Sequence, residues 1–214
     1  MFSFLQKSTQ PVHADKVWKT RQACLKGMIT ESMKIISQSG NPVIISWFDD
    51  RQQSLLDFLT HHAVPYKLMN AYFELNENNT IYILNAGLVS TSLHVDSLKA
   101  KQKTIVADGH YPLVDYENKI IEKLCSTDLK IPILYCMSLE DPLLRAFGPD
   151  NIISLLEKLG LDDDETLDHP MVQKAIERTR EKISTAVSSE IRTNNESEWF
   201  MKNSMDLEHL TGNR

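Results

Sequence analysis

The chain has 214 residues, a formal net charge of −6 and 42% hydrophobic residues, enough apolar material for a sizeable core. The acidic balance argues against a nucleic-acid-binding helicase remnant, because there is no surplus of lysine and arginine to neutralise phosphates. No apolar run approaches the roughly 18 residues of a membrane span, and no basic-then-apolar secretion signal opens the chain. We therefore expect a cytoplasmic protein whose three cysteines are reduced and structural.

The first predicted element is a helix that follows a loose N-terminal arm. We expect the arm at residues 1–13 and the helix at 14–39, where apolar residues recur mostly every three or four positions. Gly40 suits the left-handed residue that often ends a helix, and Pro42 prevents the helix from continuing.

A strand, a helix and a second strand are predicted next. The continuous apolar run at 43–48 is typical of a strand that is buried on both faces of a parallel sheet. Asp49 or Asp50 is expected to cap the following helix, which runs to about residue 62. A second strand at 64–71 completes one right-handed strand–helix–strand unit.

The connection to the next strand is unusually short. Residues 72–79 separate it from a predicted strand at 80–84, whereas a parallel crossover normally needs about a dozen residues or more. Either the sheet tolerates a tight connection or the local topology has changed.

The second half of the chain continues the alternation of strands and helices. In order, it predicts a polar connection (92–103), a strand (104–107), a turn (108–110), a helix (113–125), a strand (131–137), a helix (150–159), an acidic loop (161–165) and a helix from Pro170 that could run past Ser189. The tail at 199–210 is rich in large apolar residues. Three readings stay open for it: it folds back on the domain, it is a partner-binding helix, or it is disordered.

The stretch 137–183 carries a specific resemblance to a known family. Its order "SLEDPLLRAFG", helix, "LG", acidic loop and "HPMVQKAIE" resembles the SecA preprotein translocase ATPase, where it closes the second nucleotide-binding domain and opens the scaffold helix. Residues 15–20 and 42–71 also resemble segments of that domain. The matching positions are expected to be structural: Ser138, Leu139, Glu140, Asp141, Arg145, Phe147, Gly148, His169 and Pro170. Glu140 and Asp141 are expected to cap and anchor the helix that follows them.

The resemblance implies the fold and the domain organisation. We expect a three-layer α/β domain of the RecA-like, helicase C-terminal-like class at residues 14–165, with a mostly parallel sheet. Residues 166–214 are then the start of a scaffold-like helix and a tail.

The nucleotide-binding loop of the family is only partly present. Asn85, Ala86 and Gly87 stand where SecA has "TNMAGRGTDI", and they are the candidate remnant of a cofactor-binding loop. The arginine of that loop would be Leu88 and its second glycine Val89, and neither side chain can bind phosphate.

The arginine fingers of the family are missing as well. The stretch 110–125 stands where SecA supplies arginines to the ATP phosphates, yet it contains no arginine. Lys119 and Lys123 offer only point charges. The chain also contains no GxxxxGK[ST] phosphate loop. We expect no catalytic residue, and we expect neither ATP nor ADP to serve as a cofactor.

Other catalytic and metal-binding arrangements are weakly supported. Adjacent His61 and His62 would point about 100° apart on a helix and could not chelate a metal together. His110 with Asp115 could form an acid–base pair, although a single histidine in a turn is usually structural. No metal site is expected.

The sequence therefore predicts a degenerate, non-catalytic SecA-like domain that acts as a protein-interaction or regulatory module. The resemblance implies a link to protein translocation, with a SecA-like ATPase or another secretion component as partner, or self-association. The alternative is a residual nucleotide-binding protein that completes a partner's ATPase site through residues 85–87 and Lys119 or Lys123.

Overall fold

The computed structural model describes residues 13–69, 79–91, 103–125, 131–145, 165–167 and 170–203. Its six strands form one sheet in which every pairing is parallel, with the order β1-β6-β5-β2-β4-β3. The strands are β1 (His13–Trp18), β2 (Asn41–Ser46), β3 (Tyr66–Leu68), β4 (Ile81–Asn85), β5 (Lys103–Asp108) and β6 (Ile133–Ser138). The helices are α1 (Arg21–Ser37), α2 (Asp49–His61), α3 (Ala86–Thr91), α4 (Val114–Cys125), α5 (Pro142–Arg145), α6 (Pro170–Ala186) and α7 (Glu196–Lys202).

Apolar cores cover both faces of this sheet. Along β2, Val43 and Ile45 face a core that includes residues of α4, α6 and α7, whereas Ile44 faces a core with α1 and α2. All three side chains are at most 2% exposed, so the continuous apolar run of this strand is explained by burial on both sides. The predicted three-layer α/β fold with a mostly parallel sheet is confirmed.

The predicted helix at 14–39 is wrong at its start. Residues 13–18 form β1, which lies at one edge of the sheet and pairs with β6. The helix begins at Arg21, after the Thr20 side chain accepts a hydrogen bond of 3.1 Å from the backbone N–H of Ala23. The spacing of apolar residues could not reveal β1, because the partner strand lies more than a hundred positions along the chain.

Close packing at Gly27 joins β1 to α1. A Cβ atom at this position would lie 2.2 Å from the ring of Trp18, so the strand and the helix approach too closely for any side chain. Trp18 itself is 3% exposed. The glycine thus allows the tryptophan to pack directly against the helix backbone.

The short connection between β3 and β4 is compatible with a parallel arrangement. Tyr66 lies opposite Ile81 in parallel register, so of the two alternatives the tight connection is correct. The strand predicted at 64–71 is shorter than expected and ends at Leu68, which leaves more chain for the crossover. Residues 70–78 lie outside the described part of the chain.

The C-terminal part of the chain folds back on the domain. Helix α6 ends at Ala186 rather than beyond Ser189, and α7 then places Trp199 and Phe200 in the core, at 0% and 2% exposure. Of the three readings of the tail, folding back is correct for residues 196–203. Among the described helices, none combines the length and apolarity that crossing a membrane requires. The arm at 1–12, the predicted helix at 150–159 and residues 204–214 lie outside the described residues.

Candidate functional site at the carboxyl edge of the sheet

The carboxyl ends of the parallel strands lie along one edge of the sheet. Ser46, Asn85, Asp108 and Ser138 end β2, β4, β5 and β6 respectively. In open α/β sheets, ligands bind outside this edge. It is therefore the first place to examine for a functional site.

Asp108 is the most buried charge at this edge, with 0% exposure. Arg21 binds its carboxylate through both terminal nitrogens, at 2.5 and 2.8 Å, and Arg51 binds it at 2.6 Å. Burial alone would raise the pKa of Asp108, but the two guanidinium groups outweigh it and lower the pKa to about 2. The carboxylate is therefore ionised and satisfied by groups of the chain itself.

Arg51 extends this arrangement to two more carboxylates. One terminal nitrogen lies 2.9 Å from Asp141 and 2.8 Å from Glu196, and the arginine is 7% exposed. Asp141 also accepts hydrogen bonds from the backbone N–H and the hydroxyl of Ser138, at 3.0 and 2.7 Å. We call the five charged groups the edge network: Arg21, Arg51, Asp108, Asp141 and Glu196.

The edge network contains one carboxylate more than it has guanidinium groups, and Glu196 shows the consequence. Burial raises the pKa of Glu196, Arg51 opposes that rise, and the nearby Asp141 and Asp108 add to it, which brings the pKa to about 7. The ion pair with Arg51 does not keep the pKa low, because Arg51 is shared with the other two carboxylates.

The segment that carries Glu196 also covers the start of α2. The backbone N–H groups of Asp49 and Asp50 donate to the carbonyl of Asn194, at 2.9 and 3.3 Å. The N-cap position is Phe48, which makes no side-chain hydrogen bond, so the predicted capping by Asp49 or Asp50 is wrong. The Asp50 carboxylate instead accepts from the Asn195 side chain at 2.9 Å. The carbonyl of Asn194 thus accepts hydrogen bonds from backbone N–H groups in the first turn of α2, which have no acceptor within the helix.

The candidate nucleotide loop is helical. Ala86 and Gly87 belong to α3, which follows β4 directly, so the predicted loop conformation is wrong. The Asn85 side chain accepts from the Gly87 N–H at 2.8 Å and donates to Asp49 at 2.8 Å. These side-chain hydrogen bonds hold residues 85–87 against α2, where they form the first turn of a short helix.

Of the two candidate lysines, one lies near this helix. The ammonium group of Lys123 lies 3.5 and 3.3 Å from the carbonyl oxygens of Val89 and Ser90, in the last turn of α3. Lys119 lies on the exposed face of α4. The structure therefore places Lys123 beside the last turn of α3, and within the described part of the chain neither lysine forms a hydrogen bond or ion pair with residues 85–87.

Comparison with known proteins identifies relatives of the chain. No family model matches it. The chain is 24% identical over 185 residues to protein translocase subunit SecA of Halothermothrix orenii, and this match covers 79% of the chain and 21% of the relative. The SecA of Pelagibacter ubique is 26% identical over 211 residues (84% of the chain, 24% of the relative), and that of Clostridium kluyveri is 28% identical over 183 residues (79% and 22%). The chain is similar in sequence to SecA.

The chain spans between a fifth and a quarter of the length of these SecA relatives, which have 21%, 24% and 22% of their residues matched. Among solved structures, the C-terminal part of the Fun30 ATPase domain has a TM-score of 0.42 at 10% identity; the match covers 75% of this chain and 52% of that one. The resemblance to SecA that the sequence motifs predicted is confirmed by the similarity of the sequences.

The SecA-like motif after β6 contributes to the edge network and to the packing of α1. The Glu140 carboxylate accepts a 2.8 Å hydrogen bond from the backbone N–H of Arg21, so Glu140 caps α1 and not the helix that follows it. The Asp141 carbonyl accepts from the N–H groups of Leu144 and Arg145, while its carboxylate binds Ser138 and Arg51. The predicted cap is therefore wrong for Glu140, whereas Asp141 does fix the turn.

The other motif positions have simpler surroundings. The N–H of Leu139 donates to the carbonyl of Trp18 at 2.9 Å and thereby ties the end of β6 to β1. The Arg145 side chain is exposed, and Pro170 begins α6. Phe147, Gly148 and His169 lie outside the described residues.

His110 belongs to a second buried group of charges. Its two ring nitrogens lie 3.0 Å from Glu117 and 3.3 Å from Asp15, so the predicted pairing with Asp115 is wrong. Arg180 of α6 lies 2.9 Å from the same Glu117 carboxylate. Burial lowers the pKa of His110, but Glu117 and Asp15 outweigh it and raise the pKa above its ordinary value. We call the four groups the histidine network: His110, Glu117, Asp15 and Arg180.

The described residues offer little for a metal. His61 and His62 are adjacent at the end of α2 with ring centroids 4.9 Å apart, and in the described ranges no group of three or more metal-ligating side chains converges. Sequence reasoning missed the edge network because its members are separated widely along the chain. The available signal was that Asp108 stands at the carboxyl end of one buried strand and Arg51 in the first turn of the helix that follows another.

Proposed function

We propose that this SecA relative is a non-catalytic interaction or regulatory module that acts in protein translocation by binding a SecA-like ATPase or another secretion component. One observation carries the proposal. At the edge where a RecA-like domain takes its ligand, Arg21 and Arg51 are both bound to Asp108, and residues 194–196 cover the start of α2.

The chemistry of phosphate binding supports the same conclusion. Phosphoryl transfer depends on positioned cations and backbone N–H groups that surround the phosphates. In this chain the guanidinium groups at the edge face carboxylates, and the family's loop arginine is replaced by Leu88, which packs against the core. An intact sheet with an occupied ligand edge fits a domain that is retained for the surface it presents to other proteins.

We further propose that residues 14–165 form the module, that residues 166–214 are its scaffold-like helix and tail, and that the protein works in the cytoplasm. The proposed scaffold-like helix is attached to the module: Val172 and Ile176 of α6 pack with Val17 of β1. Helix α6 thus docks on the sheet as a continuation of the domain.

Calorimetric titration with ATP or ADP in the presence of magnesium tests the absence of a nucleotide site. A ligand at a hundred times its dissociation constant stabilises the folded state by roughly 2.7 kcal/mol, which shifts the melting temperature by several degrees. We expect no heat of binding and no shift. Micromolar binding would favour the alternative, a nucleotide site completed for a partner through residues 85–87.

The interaction itself is tested with a purified SecA-like ATPase from the same organism. We expect the chain to bind it and to change its ATP turnover. The double variant Lys119→Ala/Lys123→Ala should have the same effect as the wild type, because neither lysine contributes to the proposed interaction. Loss of the effect in that variant would favour the alternative function, and the absence of any complex with a SecA-like ATPase or secretion component would contradict the proposal.

A further inference from the structure

Residues 190–203, which we call the C-terminal segment, lie at the carboxyl edge of the sheet on a surface that includes Asp50, Arg51 and Tyr111, and we call this surface the groove. The segment contains the short helix α7, whose first turn begins after Asn195 caps it through a 2.9 Å hydrogen bond from the Glu198 N–H. Arg51, Asp50 and Tyr111 contact the segment from the body of the domain. This arrangement is that of a helical peptide in a groove.

Polar contacts fix the position of the segment at its N-terminal end. The Glu196 carboxylate lies 2.8 Å from Arg51, and the Asn195 side chain donates to Asp50 at 2.9 Å. The carbonyl of Asn194 accepts from the first N–H groups of α2. The groove thus recognises a side-chain oxygen and a backbone carbonyl at defined places.

Apolar contacts fix the other end. Trp199 and Phe200 are buried in the core beside Phe48 and Tyr111, and the rings of Trp199 and Tyr111 are 6.1 Å apart. The indole N–H of Trp199 donates to Glu190 at 2.9 Å, and the Tyr111 hydroxyl donates to the same carboxylate. The groove therefore accepts an aromatic pair about one helical turn after the side-chain oxygen.

The charges immediately around Arg51 are balanced without the segment. Arg21 and Arg51 face Asp108 and Asp141, and Glu196 adds a third carboxylate that has no additional cation. Residues 187–189, which join the segment to α6, and residues 190–195 of the segment itself contain neither helix nor strand. The segment thus adds an unbalanced negative charge, and an irregular stretch of chain joins it to α6. When the segment leaves, Arg21 and Arg51 remain paired with Asp108 and Asp141.

We propose that this groove is a docking site for a helical segment of a partner protein that presents a side-chain oxygen to Arg51 and an aromatic pair about one turn later, and that the C-terminal segment is an internal competitor for the same groove. The proposal rests on the function proposed above and adds the chemistry of the partner. Because the charges of Arg21, Arg51, Asp108 and Asp141 already balance, a neutral amide opposite Arg51 suits the groove better than a further carboxylate.

The internal segment has a large advantage in this competition. A short tether gives it an effective concentration in the millimolar range, so a free peptide of similar affinity displaces little of it. A direct test therefore needs a full-length variant in which the segment has lost its own aromatic contact while the groove is unchanged. Trp199→Ala is that variant.

The test uses a labelled peptide with the sequence of residues 190–203 and measures its fluorescence anisotropy with the full chain. We expect the Trp199→Ala variant to bind the peptide at least tenfold more tightly than the wild type does. The matched control peptide, with Trp199→Ala in its own sequence, should bind neither protein. A peptide with Glu196→Gln should bind several-fold more tightly than the original at pH 8. Equal affinity of the original peptide for the folded variant and for the wild type would overturn the proposal.

A second measurement on the wild-type chain keeps the proposal testable if the variant does not fold. Amide hydrogen exchange should show that residues 197–202 open locally, with protection at least tenfold lower than that of β2 and β5. Equal protection, meaning that the segment opens only when the whole domain unfolds, would overturn the proposal. So would a wild-type dimer whose two copies exchange this segment, because the occupant would then be a second copy.

These experiments contain no SecA. Peptide binding together with a failed SecA interaction would reject the partner proposed above while supporting the groove. A SecA complex without peptide binding would support the proposed partner and reject the groove as a docking site.

Discussion

The edge network and the histidine network both attach a C-terminal helix to the sheet, but they differ in charge balance. The histidine network holds α6 through Arg180; when His110 is protonated, the two cations match the carboxylates of Glu117 and Asp15. The edge network holds α7 through Glu196 and has a surplus carboxylate. Balanced charges favour a permanent attachment, whereas surplus charge makes an attachment sensitive to pH and to competitors.

Removing the shared cation of the edge network should have the largest effect. Arg51→Leu leaves Asp141 and Glu196 buried without their guanidinium partner, and breaking a buried ion pair in this way costs about 3 to 5 kcal/mol. Urea unfolding monitored by circular dichroism measures the loss. The control is Arg178→Leu on the exposed face of α6, which should change stability by no more than about 0.5 kcal/mol. Similar effects of the two changes would show that the edge network does not stabilise the fold.

The corresponding change in the histidine network should be smaller. Glu117→Gln keeps the shape of the side chain but removes the charge that faces His110 and Arg180, and hydrogen bonds to charged groups contribute about 1.5 to 3 kcal/mol each. We expect a loss of roughly 2 kcal/mol and a fall in the pKa of His110. An NMR titration of the imidazole measures the pKa, and Glu122→Gln on the same helix is the control. An unchanged His110 pKa would contradict the assigned pairing.

The surplus carboxylate should give a pH dependence of a definite sign. The pKa of Glu196 is about 7 in the folded state, raised from an ordinary 4.5. The stability that its protonated form contributes is therefore fully present below about pH 4.5 and is lost as the pH rises through about 7. Between pH 5 and pH 8 the wild type should lose on the order of 2 kcal/mol relative to Glu196→Gln.

The comparison with Glu196→Gln isolates the effect of the Glu196 carboxyl group. The pH-dependent contribution of His110 to stability changes in the same direction in both proteins. Glu198→Gln is the control, because that side chain is 40% exposed and pairs with Lys202. Parallel pH profiles for the wild type and Glu196→Gln would mean that Glu196 is ionised throughout, and that Arg51 outweighs its acidic neighbours.

The smallest effect is expected at Lys123. Its ammonium group lies at the limit of hydrogen-bond distance from the α3 carbonyls, at 3.3 and 3.5 Å, so Lys123→Ala should cost no more than about 0.5 kcal/mol. Thermal melting with and without ATP measures both the stability and any loss of nucleotide binding. If ATP raised the melting temperature of the wild type but not that of the variant, the result would support a nucleotide site at residues 85–87.

The sheet could be predicted from the sequence because its strands are locally distinct. Apolar runs such as 43–48 leave no polar face, and charged or turn residues separate them from the helices. Strand β1 was missed because it lies at the edge and carries its apolar pair, Val17 and Trp18, where the spacing also continues a helix. Its strand conformation comes from pairing with β6, which no local pattern encodes.

The site was harder to predict than the fold because its contacts are distant in sequence. Arg51 and Glu196 are separated by 145 positions, and Arg21 and Asp108 by 87. Each residue, taken alone, resembles an ordinary surface charge on a helix or in a turn. Glu140 illustrates the same limit: its position suggested a cap for the next helix, but in three dimensions it lies at the start of α1.

The parallel pairing of β1 with β6 has a consequence for the order of folding. The first described strand remains without its neighbour until the sixth has been synthesised, and the first turn of α2 receives its capping carbonyl only from Asn194. Contacts of such large sequence separation slow folding, since loop closure must precede any gain from the contact. During synthesis, the middle of the sheet, β2 with β4 and β5, can therefore form first, β1 joins only after β6 has been made, and the C-terminal segment joins last.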